Sequence, residues 1–138
     1  MEPKVAFVCT GNSCRSQMAE GFARFYGDEV LEIYSAGTHP APEINPDAVT
    51  VMQEIGIDIS GQYPKTLDDI PFETDILIKM GCGVVCPFVP NSHEEDWGLP
   101  DPAGKTLEEF RQVRDMIRGK VLDLVERVRK NEIYRRNQ

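Results

Sequence analysis

Cys9, which could form a covalent bond to a substrate, and Arg15, which could bind an anion, flank a short polar loop with the sequence "TGNSC". Gly11 tolerates positive φ, and Asn12 belongs to the few other residue types that visit the left-handed region, so the loop can turn its backbone N–H groups inward. Such a ring of N–H groups at a helix N-terminus binds a tetrahedral oxyanion. The pattern predicts an anion-binding turn with a thiol at its start.

The side chains of this turn suit nucleophilic chemistry. Arg15 would add a planar fork for two oxygens of the anion. The same positive potential favours the thiolate form of Cys9, and Ser16 can donate a hydrogen bond to it. We therefore predict that Cys9 is a nucleophile aimed at a bound oxyanion; the alternative is a buried structural cysteine at a strand end. The predicted anion-binding residues are Thr10, Gly11, Asn12, Ser13, Cys14 and Arg15.

The elements that position these residues follow from the hydrophobic pattern. The predicted strands are residues 4–9, 32–37 and 74–81, with at most a short strand near Trp97. One predicted helix starts at Ser16 and carries Met18, Phe22, Phe25 and Tyr26 on one side. A second predicted helix lies between the cap Asn45 and Gly56. A third follows a capping box of Thr106 and Glu109. Alternating strands and helices predict a three-layer α/β/α sandwich with a parallel sheet, whose ligands bind at the carboxyl ends of the strands.

Length and charge exclude several classes of protein. From the length of 138 residues we predict a single domain over residues 1–138. A net charge of -8 argues against a broad surface for nucleic acid or anionic membranes. The sequence has no apolar run that could span a bilayer and no signal peptide, so we expect a cytoplasmic protein whose four cysteines are thiols.

The segment "CTGNSCRS" resembles the phosphate-binding loop of the low-molecular-weight protein tyrosine phosphatases and of the arsenate reductases that are similar to them. The likeness continues through "SAGT" (35–38), "GIDIS" (56–60) and "DWGLPDPAGK" (96–105). It implies a four-stranded parallel sheet, Cys9 as nucleophile and Arg15 as oxyanion clamp. It also implies that Asp101 is the general acid that protonates the leaving oxygen.

Two departures from the phosphatases favour the reductase branch, and with it a role in arsenical resistance. The third strand runs into "MGCGVVCP", and the Asp-Pro pair is followed by "AGK" rather than by tyrosines that wall a phenol-binding cleft. The resemblance implies a three-thiol relay: Cys9 attacks arsenate, Cys82 attacks Cys9 as arsenite leaves, and Cys86 then attacks Cys82. Thioredoxin or a similar dithiol reductant would reduce the final disulfide, and no cofactor is predicted.

Alternatives to this reading use the same residues. The protein would be a phosphatase working through a cysteinyl phosphate, or a non-catalytic module that binds arsenite or senses redox state. A zinc site would use Cys82, Cys86 and His93, but the C-x3-C spacing of the two cysteines is unusual for a zinc site. Cys14 is either a packed thiol or a second redox partner for Cys9.

Some relatives hold a potassium ion near the first loop through Asn, Glu, Ser and Asp side chains. Asn12, Glu20 and Ser35 match that set, but Lys65 stands where the Asp is expected. An ammonium group would replace the cation there, so we predict no metal.

Overall fold

The computed structural model describes residues 2–81 and 89–133. The strands are β1 (Lys4–Cys9), β2 (Glu32–Gly37), β3 (Ile76–Lys79) and β4 (His93–Asp96). The α-helices are α1 (Arg15–Gly27), α2 (Pro46–Gln53) and α3 (Leu107–Arg129), and a 3₁₀ helix spans Leu67–Asp69. Cys82 and Cys86, the two predicted relay thiols that follow Gly81, lie outside the described residues.

The four strands form one parallel sheet in the order β2-β1-β3-β4. This confirms the predicted fold class. The third strand is shorter than predicted, and the strand expected near Trp97 ends directly before it as β4. β1 lies between two neighbours, and its residues Val5 to Val8 are fully buried, which explains its continuous apolar sequence. The carboxyl end of β1, at Cys9, therefore lies between the neighbouring strands β2 and β3.

The two faces of the sheet carry different layers. Alternate β1 residues such as Val5 and Phe7 pack with the apolar sides of all three α-helices, which form the large core. Ala6 and Val8 face the opposite side and pack in a smaller cluster covered by Ile70 and the 3₁₀ helix. The alternation follows from the period of two along a strand.

The helix ends follow the predicted caps. The Asn45 side chain accepts a hydrogen bond from Asp47 N–H at 2.9 Å, and Pro46 starts α2. Thr106 Oγ1 accepts from Glu109 N–H at 3.2 Å at the start of α3. The prediction for Phe25 is wrong, because its side chain, at the margin of the buried stripe of α1, is 61% exposed.

A partly buried carboxylate joins β4 to the end of α3. Glu95 accepts hydrogen bonds from Arg127 at 2.6 and 3.0 Å and from the Trp97 indole at 2.9 Å, and its Oε2 lies 2.7 Å from His93 Nε2. Burial acts to raise the pKa of Glu95, but these hydrogen bonds outweigh it and lower the pKa from 4.5 to about 2. The carboxylate is therefore held ionised in the folded protein.

We expect Glu95→Gln to lower the free energy of unfolding at pH 7 by on the order of 2 kcal/mol. Because the folded pKa of Glu95 lies below the unfolded value, its contribution is complete above about pH 4.5 and is lost as the pH falls towards about 2. Urea unfolding between pH 7 and pH 3 measures this. The gap between wild type and variant should shrink only below about pH 4.5.

The matched control is Glu94→Gln, the same change one residue earlier. The Glu94 side chain is 37% exposed, against 20% for Glu95, and pairs with Lys79 at 2.8 Å, so we expect a loss below about 1 kcal/mol. If both variants lose the same free energy of unfolding, Glu95 does not stabilise the contact between β4 and α3 as argued.

In the parts of the chain that the structure covers, 2–81 and 89–133, no helix combines the length and the apolar character needed to cross a membrane.

Candidate active site

The loop between β1 and α1 encloses a cavity of about 90 Å³ at the carboxyl end of β1. Its lining consists of residues 9–15 together with Asp101 and Ala103. The fold thus brings together the predicted nucleophile, all six predicted anion-binding residues and the predicted acid. Asp101 comes from the loop between β4 and α3, more than 80 residues away in sequence.

The loop owes its conformation to a backbone pairing with residues 39–45. Three of its carbonyls accept N–H bonds of 2.9, 2.9 and 3.0 Å: Thr10 from His39, Gly11 from Ala41 and Ser13 from Asn45. In a trans peptide the carbonyl and the N–H group point in opposite directions. The N–H groups of Gly11, Asn12 and Cys14 are therefore turned away from residues 39–45, and all three residues line the cavity, as an oxyanion site requires.

Gly37, the last residue of β2, lets this pairing form. A Cβ atom at Gly37 would lie 2.4 Å from the Thr10 carbonyl oxygen and 3.1 Å from Asn12 N. Real Cβ atoms essentially never show the first of these distances, and the obstacle is a backbone oxygen, so glycine is needed for β2 to approach the loop this closely. The "SAGT" segment is thus part of the site through its backbone.

The Cys9 sulfur has two hydrogen-bond partners within the loop and helix. Asn12 N–H donates to Cys9 Sγ at 3.2 Å, and Ser16 Oγ lies 2.9 Å from the same atom. The Asn12 side-chain amide donates to Ser16 Oγ at 2.7 Å, so the Ser16 hydroxyl hydrogen is left to point at sulfur. Asn12 has φ 49, in the left-handed region predicted for it. Both groups would stabilise a thiolate.

Asn12 is held by the Gln17 side chain, whose role the sequence did not indicate, and by the backbone of Lys65. Asn12 Oδ1 accepts from Gln17 Nε2 at 3.0 Å and from Lys65 N–H at 2.8 Å. Gln62 Nε2 in turn donates to Gln17 Oε1 at 2.8 Å. Gln17 is fully buried in the first turn of α1, where its amide needs partners, but this burial is visible only in the structure.

Cys14 shares the cavity with Cys9 but differs in its chemistry. It is buried, and burial raises the pKa of its thiol from 9.0 to about 11. It is therefore a neutral thiol near pH 7 and a weak nucleophile. This favours the packed thiol over the second redox partner.

Arg15 is fixed by two backbone carbonyls from segments that are distant in sequence. Its Nη1 donates to Met80 O and to Leu99 O, each at 2.8 Å, and its side chain is largely buried. The Nη2 atom lies 3.9 Å from Asp101 Oδ2. These contacts hold the guanidinium plane at the cavity before any anion binds, which limits the entropy cost of binding.

Asp101 stands at the mouth of the cavity. Its side chain is 57% exposed, and its Oδ1 accepts a hydrogen bond from Ala103 N–H at 3.0 Å. The second oxygen faces Arg15. A carboxyl group that lines the cavity can lie close to an oxygen that leaves a bound anion.

Lys65 reaches the group of residues that match the potassium site of relatives. Its ammonium lies 3.3 Å from Glu20 Oε1 and 2.7 Å from the Tyr63 carbonyl oxygen, and Ser35 Oγ donates to the same Glu20 oxygen. A positive charge next to the carboxylate leaves no place for a second cation. The residues present therefore do not fit a potassium ion, and the absence of metal at this site stays a prediction.

Among the residues that the structure describes, no group of three His, Cys, Asp or Glu side chains could hold a metal ion. Nothing described here tests a zinc site at Cys82 and Cys86 with His93, because both cysteines fall outside that part of the chain. His93 itself is engaged with Glu95.

Residues 4–134 match the family described as low molecular weight phosphotyrosine protein phosphatase. A glutaredoxin arsenate reductase from Synechocystis is 42% identical over 129 residues, which cover 91% of this chain and 98% of that protein. Arsenate reductase 1 from Staphylococcus epidermidis is 42% identical over 130 residues, which cover 90% of this chain and 96% of that protein.

Two solved structures are similar in fold as well as in sequence. An arsenate reductase in the phosphate binding state superposes with a TM-score of 0.83 at 40% identity, covering 93% of this chain and 99% of that one. A thioredoxin-dependent arsenate reductase from Corynebacterium glutamicum has a TM-score of 0.79 at 34% identity, covering 94% of this chain and 63% of the other.

Proposed function

Because the chain belongs to the low molecular weight phosphotyrosine protein phosphatase family, we propose that it uses the Cys9 loop to reduce arsenate to arsenite. The observation that carries this proposal is the placement of Cys9 Sγ between the Asn12 N–H and the Ser16 hydroxyl, at the edge of a cavity lined by inward backbone N–H groups and Arg15. The arsenate reductases at 40–42% identity support the choice of substrate.

The mouth of the cavity also favours a small inorganic anion. The residue that lines it after Asp101 and Pro102 is Ala103, and the described lining contains no aromatic side chain. A phosphotyrosine ring would find no flat apolar wall there, whereas arsenate needs only the N–H groups and the guanidinium.

In the first step the Cys9 thiolate attacks arsenic and forms an S–As bond. One arsenate hydroxyl leaves as water with the proton of Asp101, which becomes a carboxylate. Arsenic remains pentavalent, and the negative charge on its oxygens is held by the loop N–H groups and Arg15.

The second step needs another thiol, for which we propose Cys82. Its thiolate attacks Cys9 Sγ and forms a disulfide, while the electron pair of the S–As bond stays with arsenic, which leaves as trivalent arsenite. Cys86 then attacks Cys82 and releases the Cys9 thiolate. An external dithiol reduces the Cys82–Cys86 disulfide and completes the cycle.

The reductant is proposed to be a thioredoxin or a similar dithiol protein. One relative is named a glutaredoxin arsenate reductase, and one structural neighbour is named thioredoxin-dependent. We also propose a cytoplasmic location, where a reducing environment keeps the three working thiols available.

We expect Asp101→Asn to slow formation of the Cys9 adduct by about 10²- to 10⁴-fold and to change anion binding much less, because the loop and Arg15 remain in place. Rapid-quench single-turnover measurements with arsenate report the first quantity. Protection of Cys9 from iodoacetamide by phosphate reports the second.

Asp96→Asn is a matched control, since Asp96 accepts from Gly98 N–H at 2.9 Å as Asp101 does from Ala103 N–H. An equal loss in both variants would point to the loop turn rather than to acid catalysis.

A side-by-side assay tests the proposed function. The purified protein is given arsenate with thioredoxin, thioredoxin reductase and NADPH, and separately an aryl phosphate without reductant. We expect arsenate-dependent NADPH oxidation to dominate. Aryl phosphate turnover without arsenate reduction would replace this proposal with the phosphatase reading.

A specific observation keeps phosphatase activity as the second candidate. Cys9, Arg15 and Asp101 form a set that is sufficient for phosphoester cleavage without a second thiol. We therefore expect slow aryl phosphate hydrolysis in addition to the reductase activity.

A further inference from the structure

Gly81 follows Met80, the first residue after β3. It lies against the backbone of the loop that carries Asp101. Its φ is +95, a conformation that L side chains rarely adopt. A Cβ atom at Gly81 would lie 2.7 Å from Leu99 N, 2.9 Å from Leu99 O and 3.0 Å from the Gly98 carbonyl carbon. All three are backbone atoms, so no side-chain rotation could relieve the overlap.

The close approach at Gly81 coincides with the anchorage of Arg15. One nitrogen, Nη1, donates to the carbonyl before Gly81, that of Met80, and to the carbonyl of Leu99, each at 2.8 Å. The spacing between these two carbonyls must match a single donor atom. That spacing is set by how closely the chain at Gly81 approaches the chain at Leu99.

We propose that Gly81 is a positioning residue for oxyanion binding. Because Gly81 has no side chain, the Leu99 backbone can lie where its carbonyl accepts from Arg15 together with the carbonyl of Met80. Met80 is fully buried and Leu99 nearly so, which fixes both carbonyls. Asp101 follows Leu99 by two residues, so the same contact sets the distance between the acid and the guanidinium.

The inference rests on the proposed function only in taking the Cys9 cavity as an oxyanion site. Phosphate and arsenate share the tetrahedral shape and charge that this site would recognise. Phosphate binding tests the inference without arsenate turnover, so its failure and the failure of the reductase proposal are distinguishable.

The test compares Gly81→Ala with Gly56→Ala. Gly56 has a similar φ of +83, but a Cβ atom there would meet nothing within 4 Å, so this control carries the backbone strain without the overlap. The readout is the inorganic phosphate concentration that halves the rate of Cys9 alkylation by iodoacetamide, measured by mass spectrometry. We expect it to rise about tenfold in Gly81→Ala and to stay at the wild-type value in Gly56→Ala.

Combining Gly81→Ala with Arg15→Lys tests the route. If Gly81 acts through Arg15, the alanine should change phosphate affinity by less than about twofold once Arg15 is replaced. An unchanged half-protecting concentration in the Gly81→Ala single variant, or fully additive effects in the double variant, would overturn the proposal.

Wild-type hydrogen exchange keeps the proposal testable if Gly81→Ala does not fold. Phosphate should slow amide exchange in peptides covering 76–81 and 97–103 by similar factors, since bound anion and Arg15 tie both to one guanidinium. Slowing confined to 97–103 would show that the two segments are not held together and would overturn the inference.

Discussion

Cys9→Ser abolishes arsenate reduction and aryl phosphate hydrolysis together, with an expected loss on the order of 10⁴-fold or more. The loop places a hydroxyl 2.9 Å and an N–H 3.2 Å from the sulfur at this position, and both can donate to a thiolate nucleophile. An alcohol is ionised only at far higher pH, so the same partners leave serine protonated and weakly nucleophilic. Steady-state NADPH oxidation and aryl phosphate release measure the two activities.

Folding of the Cys9→Ser variant is checked by the thermal stabilisation that phosphate confers, which should persist because Arg15 and the loop N–H groups are unchanged. Cys14→Ser is the matched substitution in the same loop. Its thiol is neutral, with a pKa of about 11, so the loss there should stay within about tenfold. Substantial activity of Cys9→Ser in either assay would refute the nucleophile assignment.

We expect Cys82→Ser to stop arsenite release, with a loss of reductase turnover of on the order of 10³-fold or more, while aryl phosphate hydrolysis continues at nearly the wild-type rate. The asymmetry follows from the chemistry. Reduction of arsenic needs a second thiolate to attack the Cys9 sulfur, whereas hydrolysis of a cysteinyl phosphate needs only water. The two assays on one variant therefore separate the reductase cycle from the shared first step.

Cys86→Ser gives a complementary result. This variant should release one equivalent of arsenite and then retain a Cys9–Cys82 disulfide, visible by peptide mapping without reductant. Wild-type protein treated in the same way should carry Cys82 joined to Cys86. If both serine variants reduce arsenate at the wild-type rate with thioredoxin as the donor, the relay is wrong.

The order of elements and the chemistry of the first loop could be predicted from the sequence. The run before Cys9, the glycine and asparagine after it and the arginine at its end act over a few residues, so their spacing carries their meaning. The same holds for the Asn45 cap of α2 and the Thr106 cap of α3. The role of Asp101 came only from resemblance to a family, since an acidic residue in a loop has no local signature.

The tertiary structure decided how that loop is held. The carbonyls of Thr10, Gly11 and Ser13 are paired with N–H groups of residues 39–45, and Arg15 is anchored by the carbonyls of Met80 and Leu99. Backbone groups are the same in every residue, so pairings between distant backbones leave almost no trace in residue types. Glycine is the exception, because a missing Cβ records a close approach, as at Gly37 and Gly81. The sequence by itself predicted the nucleophilic thiol and its anion-binding turn, and the packing of distant segments determined where those groups lie.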